Sequence, residues 1–186
     1  MATRPILMLF PKQPLGRQSG MTLIELMVTV SILVVLMLVA VPSFVEFRRN
    51  SELSDAISNF SAGANLAKST AMKRGTNTYM QPQVLASGWP SGWIVFVDTN
   101  WNQAYDPGVD ELVMTGEPVP SDISVGTLSG TFSDGYLMFN GSGYPRLKSG
   151  AFGSGTMILR HPNRSISIIV NSAGRIRSCK TGTTDC

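Results

Sequence analysis

The chain has one histidine and two cysteines in 186 residues. His161 is followed by Pro162, and the serines are scattered through turn-like contexts. That leaves no triad, so the expectation is a protein that is not an enzyme. Cys179 and Cys186 both lie in the C-terminal tail. Two thiolates with a distant His161 are too few ligands for a metal, and no cofactor is expected. Charge is also missing in places. Between Met21 and Val41 the only charged residue is Glu25. From Asp98 to Asp134 there is no Lys or Arg, and after Arg146 the only acid is Asp185. No repeat, low-complexity segment or second long helical pattern stands out.

What remains is an apolar run and a sorted set of charges. Gln18-Ser19-Gly20-Met21-Thr22-Leu23-Ile24-Glu25-Leu26 leads into the run, which ends at Val41-Pro42. At helical rise, residues 21–41 span ~30 Å, enough to cross the hydrocarbon of a bilayer. A carboxylate there is costly and calls for a partner. Arg4, Lys12 and Arg17 precede the run, which puts the leader on the cytoplasmic side and the rest outside. An ordinary signal peptide has a shorter apolar core, a small-x-small site after it and no Glu inside. An unprocessed membrane anchor stays open on these grounds.

Past Pro42, apolar residues recur at spacings of three and four: Leu53, Ile57, Phe60, Ala64, Ala67 and Ala71. Thr22 is a candidate N-cap. Lys73-Arg74-Gly75 is a helix end, with cations and then glycine. One helix is therefore expected from about Thr22 to Arg74, roughly 80 Å at standard rise. After Gly75 the texture is that of strands and turns. Strands are expected near Thr76–Gln81, Trp93–Asp98, Glu111–Thr115, Ile123–Leu128, Gly135–Phe139, Thr156–Arg160, Ser165–Val170 and Arg175–Ser178. The fold class is α+β, a long N-terminal helix packed on antiparallel β-sheet.

The three leader cations account for the whole net charge of +3. The remainder is sorted: acidic from Asp98 to Asp134, basic from Arg146 onward. On a strand, Ile176 would point inward and Arg175 and Arg177 outward, about 6.6 Å apart. Paired guanidinium forks suit phosphate. Lys180, Arg160, Arg164, Arg146 and Lys148 could extend the strip. The same cations could simply keep an exposed edge strand from pairing. No aromatic residue interleaves with them, so base stacking is not expected. Cys179 and Cys186, in a compartment that permits oxidation, are expected to bond and pin the tail. The stretch Asp98 to Glu111 looks like a calcium loop. Against the EF-hand pattern it has Gln103 in place of glycine and Val109 in the twelfth place, so a structural loop is favoured.

The junction at Gly20-Met21, with Glu25 following, resembles the processing site of type IV prepilins and pseudopilins. That resemblance implies peptidase cleavage after Gly20, methylation of Met21, and a Glu25 that docks subunits during filament assembly. It also implies a helix kink at Pro42, where the apolar run ends. The implied divisions are a leader over residues 1–20, a membrane or filament-core segment over 21–47, and a head over 48–186. Three further stretches together resemble the GspH/FimT family of minor pilins and pseudopilins: Leu66 to Gly75, Gly92-Trp93-Ile94-Val95-Phe96-Val97-Asp98-Thr99-Asn100, and Gly174-Arg175-Ile176-Arg177. The last is similar to the FimT branch, whose members resemble DNA receptors in natural transformation. The implied function is capture of double-stranded DNA by its phosphate backbone, through Gly174, Arg175, Arg177 and Lys180. The alternative is a purely structural minor pilin or type II secretion pseudopilin. Either way the implied partners are other minor and major pilins, the prepilin peptidase and the inner membrane. The head would face the periplasm and enter an extracellular pilus.

Overall fold

Helix α1 spans Leu23–Arg74. It begins where Thr22 accepts a hydrogen bond from the Glu25 N–H through its hydroxyl, at 3.3 Å, which satisfies one orphan donor of the first turn. It ends at Gly75, whose φ of 67° suits the left-handed cap, and whose N–H donates to Ala71 O at 2.8 Å. The computed structural model describes residues 20–183 and Cys186. Of the expected leader, only Gly20 falls among them. Assignment as helix continues through Pro42 without interruption. The chain forms two compact units, dividing between Ser43 and Phe44.

In the first unit the apolar side chains from Leu23 to Val41 are exposed, and this stretch is long and apolar enough to cross a membrane. In the second unit, one face of α1 is buried. Leu53, Ala56, Ile57, Phe60, Gly63, Ala64, Ala67 and Ala71 form it. The small residues let the sheets approach closely. A Cβ on Gly63 would lie 2.6 Å from the Trp93 ring, so that indole fits only against glycine.

Among the described residues nine strands follow: β1 Thr78–Pro82, β2 Trp93–Val97, β3 Glu111–Gly116, β4 Ser124–Gly130, β5 Leu137–Phe139, β6 Pro145–Arg146, β7 Gly155–His161, β8 Arg164–Val170 and β9 Ile176–Lys180. They make a five-stranded sheet in the order β3-β2-β1-β5-β6 and a four-stranded sheet in the order β4-β7-β8-β9. All strand pairs are antiparallel. Both sheets turn a face to α1. Met80, Val95, Leu137 and Phe139 join Met157, Leu159, Ile168 and Val170 in one core with the helix. The other face of the five-stranded sheet carries Tyr79, Ile94, Phe96, Tyr136 and Met138, with Tyr105 packed on them from the β2–β3 loop.

Several strand ends shift by one or two residues from the sequence expectation, and two of the differences have a clear physical reason. Strand β6 has only two residues, too short for an alternating pattern to announce it. Strand β9 begins at Ile176 rather than Arg175, because Arg175 closes the preceding turn.

Candidate nucleic-acid interface

Two turns of the same construction meet beside the end of α1. Asn140-Gly141-Ser142-Gly143-Tyr144 joins β5 to β6. Asn171-Ser172-Ala173-Gly174-Arg175 joins β8 to β9. In each, the asparagine N–H donates to the carbonyl of the fifth residue, at 3.0 Å to Tyr144 and 3.1 Å to Arg175. In each, the glycine N–H donates to the asparagine carbonyl at 2.8 Å. The asparagine Oδ1 accepts two N–H groups in both. Asn140 takes Ser142 and Tyr144, and Asn171 takes Ala173 and Arg175. The glycines sit at φ of 79° and 76°, as a turn closed by a left-handed residue requires.

The turns touch at their glycines. A Cβ on Gly174 would lie 2.5 Å from the Gly143 carbonyl oxygen. Lys68 of α1 donates from Nζ to Gly174 O at 2.8 Å. Met72 packs where a Cβ on Gly143 would be. Tyr144 and Arg175 therefore occupy equivalent places in adjoining turns, and both are exposed. Among the described residues the Arg175 guanidinium takes part in no hydrogen bond or ion pair. Lys68, Asn171 and Gly143 were missed in the sequence. The signal was there: Asn140-x-x-Gly143-x-x-Arg146 and Asn171-x-x-Gly174-x-x-Arg177 are one pattern written twice.

The remaining basic residues do not form one strip. Directly opposed residues of antiparallel strands share a face. Arg177 stands opposite Ile169, and Ile169 opposite Thr156, on the face turned away from the core. Arg160 lies on that face too, its guanidinium over the β4 irregularity near Gly126 and Thr127. Lys180 stands opposite Ile166, and Arg164 opposite His161, on the other face. The alternation that sends Ile176 inward also carries Lys180 to the inner side, past the end of the core. The single strip expected from Arg175 to Lys180 is thus divided between the two faces of the sheet.

Arg146 and Lys148 belong to the five-stranded sheet and its last hairpin. Arg146 stacks over Phe152 at 4.0 Å from the ring centroid and donates to Gly150 O at 3.2 Å. Phe152 meets Tyr144 edge to face, with centroids 6.3 Å apart. Aromatic rings do accompany the cations, then, although no linear stretch shows it. Lys148 is turned to a structural task. Its Nζ donates to Gln103 O at 2.7 Å, and Gln103 Nε2 donates back to Lys148 O at 3.2 Å. The pair latches the β2–β3 loop over the aromatic face of the sheet.

That loop uses its acids internally. Asp98 is 1% exposed and accepts the Gln103 N–H. Asp110 accepts Thr99 and Asp106 N–H groups and the Thr99 hydroxyl. Burial pushes the Asp110 carboxyl up, but these hydrogen bonds and one from the Asn100 backbone outweigh it and hold the pKa below the ordinary range. Burial, then the charge of Asp98, raises the Tyr79 phenol well above its usual range. Gln103 adopts φ of 66°, the conformation for which glycine was looked for there. Among the described residues, no three acids, histidines or cysteines are arranged to hold a metal. Cys179 and Cys186 are bonded, with Cα atoms 5.6 Å apart, which ties Cys186 to β9.

Comparison with known proteins agrees with this architecture. Residues 56–174 match the family described as type II transport protein GspH, and residues 15–41 match the prokaryotic N-terminal methylation motif. Pilin-like protein PilA1 of Thermus thermophilus is 28% identical over 162 residues, covering 86% of this chain and 97% of that protein. The fold is similar to the type IV minor pilin FimU of Pseudomonas aeruginosa, with a TM-score of 0.53 and 15% identity over 70% of this chain and 90% of that one. It is also similar to the minor pseudopilin EpsH of the Vibrio cholerae type 2 secretion system, with a TM-score of 0.51 and 11% identity over 71% and 99%. At those identities the two structures speak for the fold alone. The family match covers more than half of the sequence, and the chain belongs to the GspH family, with the N-terminal methylation motif of pilin-like proteins.

Proposed function

We propose that this minor pilin or pseudopilin is a DNA-binding subunit of a type IV pilus and supports DNA uptake. The observation that carries the reading is the Gly174 turn. A backbone fixed at Asn171, Gly143 and Lys68 presents the exposed Arg175 guanidinium, which has no hydrogen-bond or ion-pair partner among the described residues. A pre-positioned planar fork with unused donors suits a phosphate oxygen pair. Arg177 and Arg160, on the outer face of the same sheet, supply further positive potential. Nothing in the arrangement reads base edges, so binding depends on phosphate, is blind to sequence and weakens with salt.

The N-terminal features fit the same assignment. Cleavage at Gly20, methylation of Met21 and assembly through Glu25 would place the second unit outside the inner membrane and then on a filament. The reading gives the chain no catalytic step. A purely structural subunit shares those N-terminal features but has no need of an unpartnered arginine on a rigid turn.

The test is a DNA mobility shift with the full chain in a non-ionic detergent. Wild type should bind in the micromolar range. Arg175→Gln should weaken binding several-fold with an unchanged thermal midpoint, because among the described residues that side chain makes no hydrogen bond or ion pair to lose. Equal, weak retention by both would favour the structural reading.

A further inference from the structure

The second copy of the turn deepens the DNA reading on which this inference rests. Where the β8–β9 turn offers Arg175, the β5–β6 turn offers Tyr144. Where the first continues to Arg177, the second continues to Arg146. Arg146 does not point freely into solvent but sits over the Phe152 ring. Tyr144 and Phe152 are 44% and 61% exposed, large apolar areas for the rim of a small head. The two rings stand perpendicular, at 87°, no third described ring packs on either, and Arg146 takes one face of Phe152. They adjoin the Gly174 turn, since Pro145 and Gly143 pack against Gly174. The turn that carries Arg175 and the turn that carries Tyr144 are thus held against each other by one backbone lock.

We infer that the paired turns form a composite site for single-stranded DNA. Arg175 holds a phosphate, and Tyr144 and Phe152 stack the unpaired bases next to it. Arg146 is a positioning residue that fixes the Phe152 ring. The chemistry selects this occupant. A polyanion meets the arginine, and the flat apolar faces of neighbouring unpaired bases meet the rings. In duplex DNA the base faces are already stacked and cannot reach the rings. An unpaired end or frayed strand can. Every base has such a face, so the site remains blind to sequence while distinguishing strandedness.

The experiment uses the full chain in non-ionic detergent, with a fluorescent single strand of mixed sequence and its duplex of equal length. The single strand should bind about tenfold tighter, the effect of one stacked base. Tyr144→Ala and Phe152→Ala should each remove most of that advantage and leave duplex affinity unchanged. Tyr144→Phe should keep it, because it retains a ring. A strand of abasic sites should bind no better than duplex. Both rings are exposed, so the alanine variants should fold, and their thermal midpoints check this.

Equal binding of strand and duplex, untouched by the aromatic variants, would overturn the inference and leave the DNA reading standing. Loss of pilin co-assembly in those variants, with both DNA affinities intact, would also overturn it and make the rings a subunit contact. Failure of both DNAs to bind, with Arg175→Gln indistinguishable from wild type, would remove the DNA reading and this inference with it.

Discussion

At Gly174 a side chain has nowhere to go. Its φ of 76° disfavours any Cβ, and the Gly143 carbonyl oxygen occupies the space that a Cβ would need. Gly174→Ala must therefore shift the turn away from Gly143 and loosen the Lys68 hydrogen bond. The expected cost is about 1–3 kcal/mol. It should appear as a lower thermal midpoint together with weaker DNA binding, whereas Arg175→Gln changes binding alone. A Gly174→Ala protein with wild-type affinity would show that the turn's rigidity does not matter to binding. At this scale the sequence told part of the story. The glycine and its arginines were readable as a motif, but the physical reason for the glycine lies in a turn far away in the chain. No periodicity reveals that the amine of Lys68 reaches the Gly174 carbonyl.

The β2–β3 loop is the element most sensitive to acid. Asp110 has its pKa held below the ordinary carboxylate value of 3.8. A depressed folded-state pKa contributes stability that is complete above the unfolded value and is lost as pH falls through the folded one. Lowering the pH below 3.8 should therefore loosen residues 99–110 progressively. Tyr105 fluorescence and hydrogen exchange at Thr99 and Asp106 are the readouts. Asp110→Asn should reduce this acid dependence, and a loop equally protected across that range would contradict the account. Elements themselves were largely legible. Spacings of three and four identified the buried face of α1, and alternation placed eight of the strands within a few residues. Strand β6 was hidden by its length. The basic residues gave the wrong picture as a strip, because sequence proximity cannot say that β9 sends Arg177 and Lys180 to opposite faces. Arg146 and Lys148, two residues apart, also part company: one lies on Phe152, the other ties down the acidic loop.

For the whole molecule, function divides along the chain. The first unit is an exposed apolar helix with Glu25 in its first turn, suited to a bilayer or to packing among like helices. The second unit carries its own core, built on the buried face of α1 and both sheets. The paired turns lie at the end of α1, in the second unit, where residues of helix and both sheets converge. This placement could be foreseen only in outline. The composition announced an apolar anchor and a basic C-terminal region, but the meeting of two turns from different sheets depends on tertiary packing. The most direct test of the central claim is the salt dependence of DNA binding by the intact chain. Log affinity should fall linearly with log salt concentration, and the slope should become shallower by about 1 in Arg175→Gln, the loss of one phosphate contact. Identical slopes for wild type and variant, or an affinity indifferent to salt, would contradict it.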